Sequence, residues 1–233
     1  IPPIPFTKEE LELARDNNQF LILRLDKLPD GTLLTMERMQ TLLQGKLKAG
    51  PNHKVLYNTD WYANEDFYKK DTHKLSWALV AKETIPNTKS KNYLEQTEEL
   101  LKYARTITTD DTPFQEALDE AEAEFIQIKP QITPLIASNK ESDQQKATNL
   151  LSSLKITKLL RHNPSEVLYD ILLRLQNNTQ DVMTKGEYIW TNTRSSLGYF
   201  VNVGYAFSVG VDVYGSRPDF RSDRLGATLS RSV

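Results

Sequence analysis

Residues 194–233 read RSSLGYFVNVGYAFSVGVDVYGSRPDFRSDRLGATLSRSV. Within two runs, Val201 and Val203, then Val209, Val211 and Val213, valine falls at every second position. That is the period of strands whose alternate side chains point to opposite faces. Gly198, Gly204, Gly210, Gly215 and Gly226 punctuate the segment, Gly186 precedes it, and Arg217-Pro218-Asp219 reads as a turn. Such spacing predicts short antiparallel strands joined by tight turns and exposed loops.

Upstream the character changes. Residues 90–180 contain no glycine, and their apolar residues recur at helical spacing over Asn92–Arg105, Phe114–Ile128 and Ser142–Arg161. A fourth helix is predicted from Pro164 to Gln176, with Asn163 as N-cap, Pro164 at N1 and Glu166 at N3. Lys129-Pro130 and Thr133-Pro134 are expected to interrupt the pattern between the second helix and the third. This stretch reads as a helical insertion or flank. Nearer the N-terminus, Thr7-Lys8-Glu9-Glu10 forms a capping-box pattern, Phe20–Leu25 reads as a buried strand, and Thr35 caps a helix ended by Gly45. Lys54–Tyr57 and Ser76–Lys82 read as further strands, with Tyr57, Trp61, Tyr62, Phe67, Tyr68 and Trp77 as an aromatic cluster between them. The expected fold is α+β, one domain over residues 1–233, with residues 186–233 as its β-rich ending.

Composition removes whole classes of function. A chain of 233 residues can bury a full core, and 26% charged with 39% hydrophobic residues is ordinary for a globular protein. A net charge of -2 sets up no field to recruit nucleic acid or an anionic membrane. No apolar run approaches the roughly 18 residues that a membrane span needs, and Ile1-Pro2-Pro3-Ile4-Pro5 lacks the basic leader of a signal peptide. Cysteine is absent, which excludes thiol catalysis, disulfides and thiolate metal sites, and fits a cytoplasmic or viral setting better than a small secreted scaffold.

The last forty residues depart from this background. Lys, Glu, Gln, Met and Trp together supply 51 residues of the chain, yet none falls among these forty, which hold five of the eleven arginines. Strand propensity depletes Lys and Glu but does not explain losing Met and Gln while gaining Arg. The genetic code does better. An asparagine codon of the form adenine-adenine-pyrimidine, with both adenines free to change, yields Asn, Asp, Ser, Tyr, Phe, Arg, Gly and Val, and never Lys, Glu, Gln, Met or Trp. The permitted set also suits a binding surface, because Tyr and Phe give contact area at low entropic cost while Ser, Asn and Arg give polar contacts.

The run from Tyr188-Ile189-Trp190-Thr191 through Gly198, Val201, Val203, Gly204, Gly210, Val211, Val213, Pro218, Leu225 and Gly226 to Ser230-Arg231-Ser232 resembles the variable region of diversity-generating retroelement variable proteins. Their retroelements mutagenise template adenines to diversify a C-terminal segment. The resemblance covers residues 188–233 and implies a C-type lectin-like antiparallel sheet with additional helices. Phe20–Leu25 and the strand near Trp77 would join the ending in one sheet, and residues 90–180 would be partly inserted. It further implies that the Gly and Val positions are scaffold and the residues between them bind. On that basis the expected contacts are Tyr199, Phe200, Asn202, Tyr205, Phe207, Ser208, Asp212, Tyr214, Ser216, Arg217, Phe220, Arg221, Ser222 and Arg224. The expected partner is a variable macromolecular ligand, a protein rather than nucleic acid, and no cofactor is implied.

Other chemistries lack their residues. Calcium-dependent lectins resemble one another in a Glu-Pro-Asn or Gln-Pro-Asn run, whereas this chain has Gly50-Pro51-Asn52 and Ile85-Pro86-Asn87, and Asp30, Asp60 and Asp66 are scattered. His53, His73 and His162 are isolated, so no zinc site is expected. Carboxylates such as Glu65 and Asp66 have no candidate nucleophile beside them, so an enzyme is not expected. The competing reading is a fixed structural or adhesive module of a virus or cell surface, whose ending would be invariant between individuals.

Overall fold

The computed structural model describes residues 1–48, 53–108, 112–177, 186–207 and 209–232. Its elements follow in chain order. Helix α1 (Lys8–Asp16) and strand β1 (Gln19–Arg24) lead to α2 (Met36–Leu43), α3 (Asp66–Lys69) and β2 (Ser76–Ala81). Five helices come next: α4 (Tyr93–Thr106), α5 (Pro113–Ile136), α6 (Glu141–Ser153), α7 (Lys155–Leu160) and α8 (Pro164–Gln176). The ending supplies β3 (Tyr188–Arg194), β4 (Phe200–Phe207), β5 (Gly210–Ser216), β6 (Leu225–Gly226) and β7 (Ser230–Ser232). The class is mixed α+β.

Local signals set most helix starts. Thr7 and Glu10 close the expected capping box on α1, Thr35 caps α2, and Asn163 with Glu166 closes a second box on α8 behind Pro164. Two helical expectations are corrected. Helix α5 runs unbroken through Pro130 and Pro134. The two prolines are four residues apart and exposed, so the carbonyls they free, on Ile126 and Pro130, open to water. Phe125, Ile132 and Ile136 meanwhile stay buried on the other face. Conversely, the single helix expected over Ser142–Arg161 breaks at Leu154, which turns extended, and the Glu124 carboxylate accepts from the freed Lys155 N–H at 2.6 Å. The strand expected at Lys54–Tyr57 is a single parallel bridge, Leu56 to Val211.

The strands form two sheets rather than the expected one. The early strands do pair with the end of the chain, in the antiparallel order β1-β2-β7. The rest of the ending builds a second sheet, β5-β4-β3-β6, in which β6 runs parallel to β3. One core lies between the valine face of this second sheet, α2 and α8, and takes in Tyr62 and Phe67. A second core lies under α4–α7 and receives Trp190, Phe200 and Leu225 from the opposite face. Helix α8 therefore belongs to the same core as the sheets, through Val167, Leu168, Ile171 and Leu172.

A buried ion pair joins these layers. Arg24 at the end of β1 donates from Nε and Nη2 to both oxygens of Asp170 on α8, at 3.0 and 2.6 Å. Its Nη1 reaches Glu166 at 3.0 Å and the Ser230 hydroxyl of β7 at 2.9 Å. Burial disfavours the Asp170 carboxylate, but Arg24 and His162 beside it outweigh that cost and hold it below the ordinary aspartate value. Burial also pushes His73 below the ordinary histidine value, and its neutral ring bridges Leu25 O at 2.6 Å and Ser165 Oγ at 3.3 Å.

Removing the carboxylate strands Arg24 as a buried, uncompensated charge, so Asp170→Asn is expected to cost about 3–5 kcal/mol in urea unfolding. Both shifted groups bind protons more weakly when folded, so stability falls with acid in two stages. The His73 contribution is complete above about pH 6.5 and is lost as pH drops through its folded value, and the Asp170 contribution declines below about pH 3.9. Unfolding midpoints measured across pH check this, and His73→Gln is expected to remove the upper stage alone.

Candidate ligand-binding face

Alternation on β3, β4 and β5 sorts side chains onto two faces. Val201, Val203, Val211 and Val213 point into the first core. The opposite face presents the cross-strand rows Tyr188–Gly204–Asp212 and Trp190–Asn202–Tyr214, then Phe200 with Ser216. At Gly204 a Cβ would lie 2.1 Å from the Glu187 carbonyl oxygen, so only glycine fits there. Across the empty position the Tyr188 hydroxyl donates to Asp212 Oδ2 at 2.6 Å. Burial and the neighbouring carboxylate push the Tyr188 phenol well above the ordinary tyrosine value, so it stays a donor.

Beyond Gly204 a bulge gives β4 one more residue than β5, and Tyr205 takes a left-handed backbone with φ of 50°. Simple alternation would send Tyr205 in with the valines. The bulge instead turns it outward, where its ring stacks on Tyr188 at 5.5 Å and meets Phe207 edge-on at 4.7 Å, while Ala206 drops into the core. The Arg224 guanidinium lies 5.9 Å from the Tyr205 ring centroid, and Nη1 is 3.4 Å from its hydroxyl. Tyr214 is 61% exposed and Phe220 48%.

The loop after β5 is held by the start of α4. Tyr93 N–H donates to Pro218 O at 3.0 Å, Ser90 N–H donates to Ser222 O at 2.9 Å, and Arg221 forks onto both oxygens of Glu95. Arg217 is engaged by Asp219 at 2.9 and 3.2 Å. Pairs this exposed contribute little to stability, but they fix the direction of the arginines. Next to them a concavity of about 440 Å³ opens among Tyr199, Tyr214, Gly215, Arg217, Phe220 and Arg221.

The face thus brings together Tyr205, Phe207, Asp212, Tyr214 and Arg224, with Tyr199, Arg217, Phe220, Arg221 and Ser222 beside them at the loop. Three expected contacts are corrected. Phe200 is fully buried and stacks on Tyr93 with centroids 3.7 Å apart. Asn202, 3% exposed, donates to Ser216 Oγ at 2.8 Å, and Ser216 itself is 7% exposed. All three do lie on the side away from the valines, but there Phe200 joins the second core under the helices, and Asn202 and Ser216 are buried with each other. Ser208 lies outside the described residues. The sequence reading missed Tyr188, which precedes the compositionally distinct segment, and Glu95, which its own helix marks only as the N3 residue of an Asn92 capping box. Trp61, whose Nε1 donates to Val213 O at 2.9 Å, was read only as part of an aromatic cluster. Among the described residues no group of three or more His, Asp or Glu could hold a metal ion.

This division predicts opposite responses to truncation. Phe200→Ala is expected to cost about 3–5 kcal/mol in denaturant unfolding, whereas Tyr214→Ala and Phe220→Ala should change stability by about 0.5 kcal/mol or less. Equal losses in the three variants would place the outer rings in the core.

Comparison with protein family models, with characterised proteins and with solved structures finds no match to this chain.

Proposed function

We propose that this chain is a ligand-binding protein whose C-terminal region forms a diversified surface, a variable protein of a diversity-generating retroelement with a C-type lectin-like fold. The observation that carries the reading joins sequence to geometry. The segment that excludes Lys, Glu, Gln, Met and Trp is the one whose Tyr205, Asp212 and Tyr214 lie on one side of a sheet over a buried valine layer, with Phe220, Arg221 and Arg224 on the adjoining loop. The pairing of the early strands with the last one supports the lectin-like part. The outer rings with Ser and Arg between them favour a protein ligand, since such residues combine rigid contact area with adaptable hydrogen bonds. Among the described residues no helix is long and apolar enough to cross a membrane.

Burial within the ending sharpens the reading. Leu225, Ala227, Thr228, Leu229, Ser230 and Arg231 are all buried, and a Cβ on Gly226 would lie 2.8 Å from Thr84. A diversified surface on this scaffold has to stop before Leu225.

Sequencing the 3′ end of the gene and its flanking DNA from many individuals of the source population tests this. Substitutions matched to adenines of a nearby template are expected at positions such as Tyr205, Asp212, Tyr214 and Phe220, and not from Leu225 to Arg231. An invariant ending with no template repeat would sink the proposal and leave a fixed binding or structural module.

A further inference from the structure

Strand β5 is the outer strand of its sheet, and most of its free edge is already occupied. Val211 N–H donates to Val55 O at 3.0 Å, and Val211 O accepts from Tyr57 N–H at 2.9 Å. One repeat further on, Val213 O accepts from the Trp61 indole. The same two-residue period turns the N–H and C=O of Gly215 outward, because Asp212 and Tyr214 are the residues facing β4 across from Gly204 and Asn202. Outside the ladder of its own sheet, neither group of Gly215 has a hydrogen-bond partner among the described residues. Gly215 is partly exposed and lines the concavity beside Tyr199, Tyr214 and Phe220.

We propose that Gly215 is a docking point at which an extended peptide segment of a partner protein adds to the edge of β5. This deepens the binding-surface reading and rests on it. An outward N–H and C=O on one residue form a matched pair that an extended main chain satisfies in register, with one donor and one acceptor. The side chains around them do not compete for a different ligand. Arg217 and Arg221, the cations of the concavity, are held by Asp219 and Glu95, so no free cluster of positive charge is offered to a phosphate or nucleic acid. A partner residue opposite Gly215 would lie on the Tyr199 side, and its two neighbours would project onto the face that carries Tyr214. Apolar or aromatic residues at those two neighbouring positions fit the exposed ring best.

The test uses the full chain. Hydrogen exchange of the free protein, followed by NMR, is expected to show the Gly215 amide exchanging far faster than that of Val211. Comparable protection of the two would overturn the proposal, since the edge would not be open. Panning a library of linear random peptides should then yield binders that slow exchange at Gly215. Gly215→Pro deletes the outward donor at a residue whose backbone lies outside the left-handed region, where an edge strand tolerates proline. It is expected to weaken peptide binding by about tenfold or more, the size of a lost main-chain hydrogen bond, with little change in melting temperature. Should that variant fold poorly, N-methylation of the peptide residue facing Gly215 makes the same cut from the other side. Peptides that bind through Tyr214 and Phe220 but ignore Gly215→Pro and N-methylation would overturn edge docking and leave the binding face intact. A library with no binder would also overturn it, while the population sequencing would still decide diversification independently.

Discussion

The fork between Arg24 and Asp170 is the constraint on which the rest of the molecule depends. One guanidinium, fully buried, binds a carboxylate of α8, a second carboxylate one turn earlier and the hydroxyl of Ser230 in the last full strand. It therefore fixes β1, α8 and β7 against one another in a single geometry. Charges this deep carry a large desolvation penalty, so the arrangement holds only while every member is in place. Arg231 repeats the device with Glu10 of α1, and its guanidinium lies 4.4 Å from the Phe114 ring centroid. The two ends of the chain are thus locked by polar contacts rather than by apolar packing alone.

That lock separates two duties within the ending. Residues from Leu225 onward are spent on closure. The strands and loop between Tyr199 and Arg224 are held from outside themselves: by the valine layer on α8, by the Glu95 and Tyr93 contacts at the start of α4, and by the 55–61 segment along β5. Side chains that project from such a support can change with little effect on folding, because few of their atoms are buried. A surface built this way fits the diversified recognition proposed for it.

The bulge at Tyr205 shows how narrowly the face is set. A single extra residue in β4 moves one tyrosine from the valine side to the outer side and brings Tyr188, Tyr205 and Phe207 into one aromatic group. Strict two-residue alternation reads through that point without a signal, since glycine at residue 204 and tyrosine at residue 205 are each compatible with a regular strand. The same holds for helices. Pro130 and Pro134 read as breaks because proline ordinarily is one, and only their shared exposed face lets α5 continue.

The sequence by itself determined the local structure and the boundary of the unusual ending. Its capping boxes, the valine periodicity and the glycine spacing act over a few residues, so their consequences do not depend on distant partners. The missing residue types also mark out the last forty positions without any structure. Tertiary structure alone decided which of those positions face outward. Phe200, Asn202 and Ser216 carry the same alternation as Asp212 and Tyr214, yet they are buried, Phe200 against Tyr93 of a helix about a hundred residues earlier in the chain. Burial is a property of what packs on top. A periodic strand specifies that it has two faces, and the rest of the fold determines how much of each face reaches water.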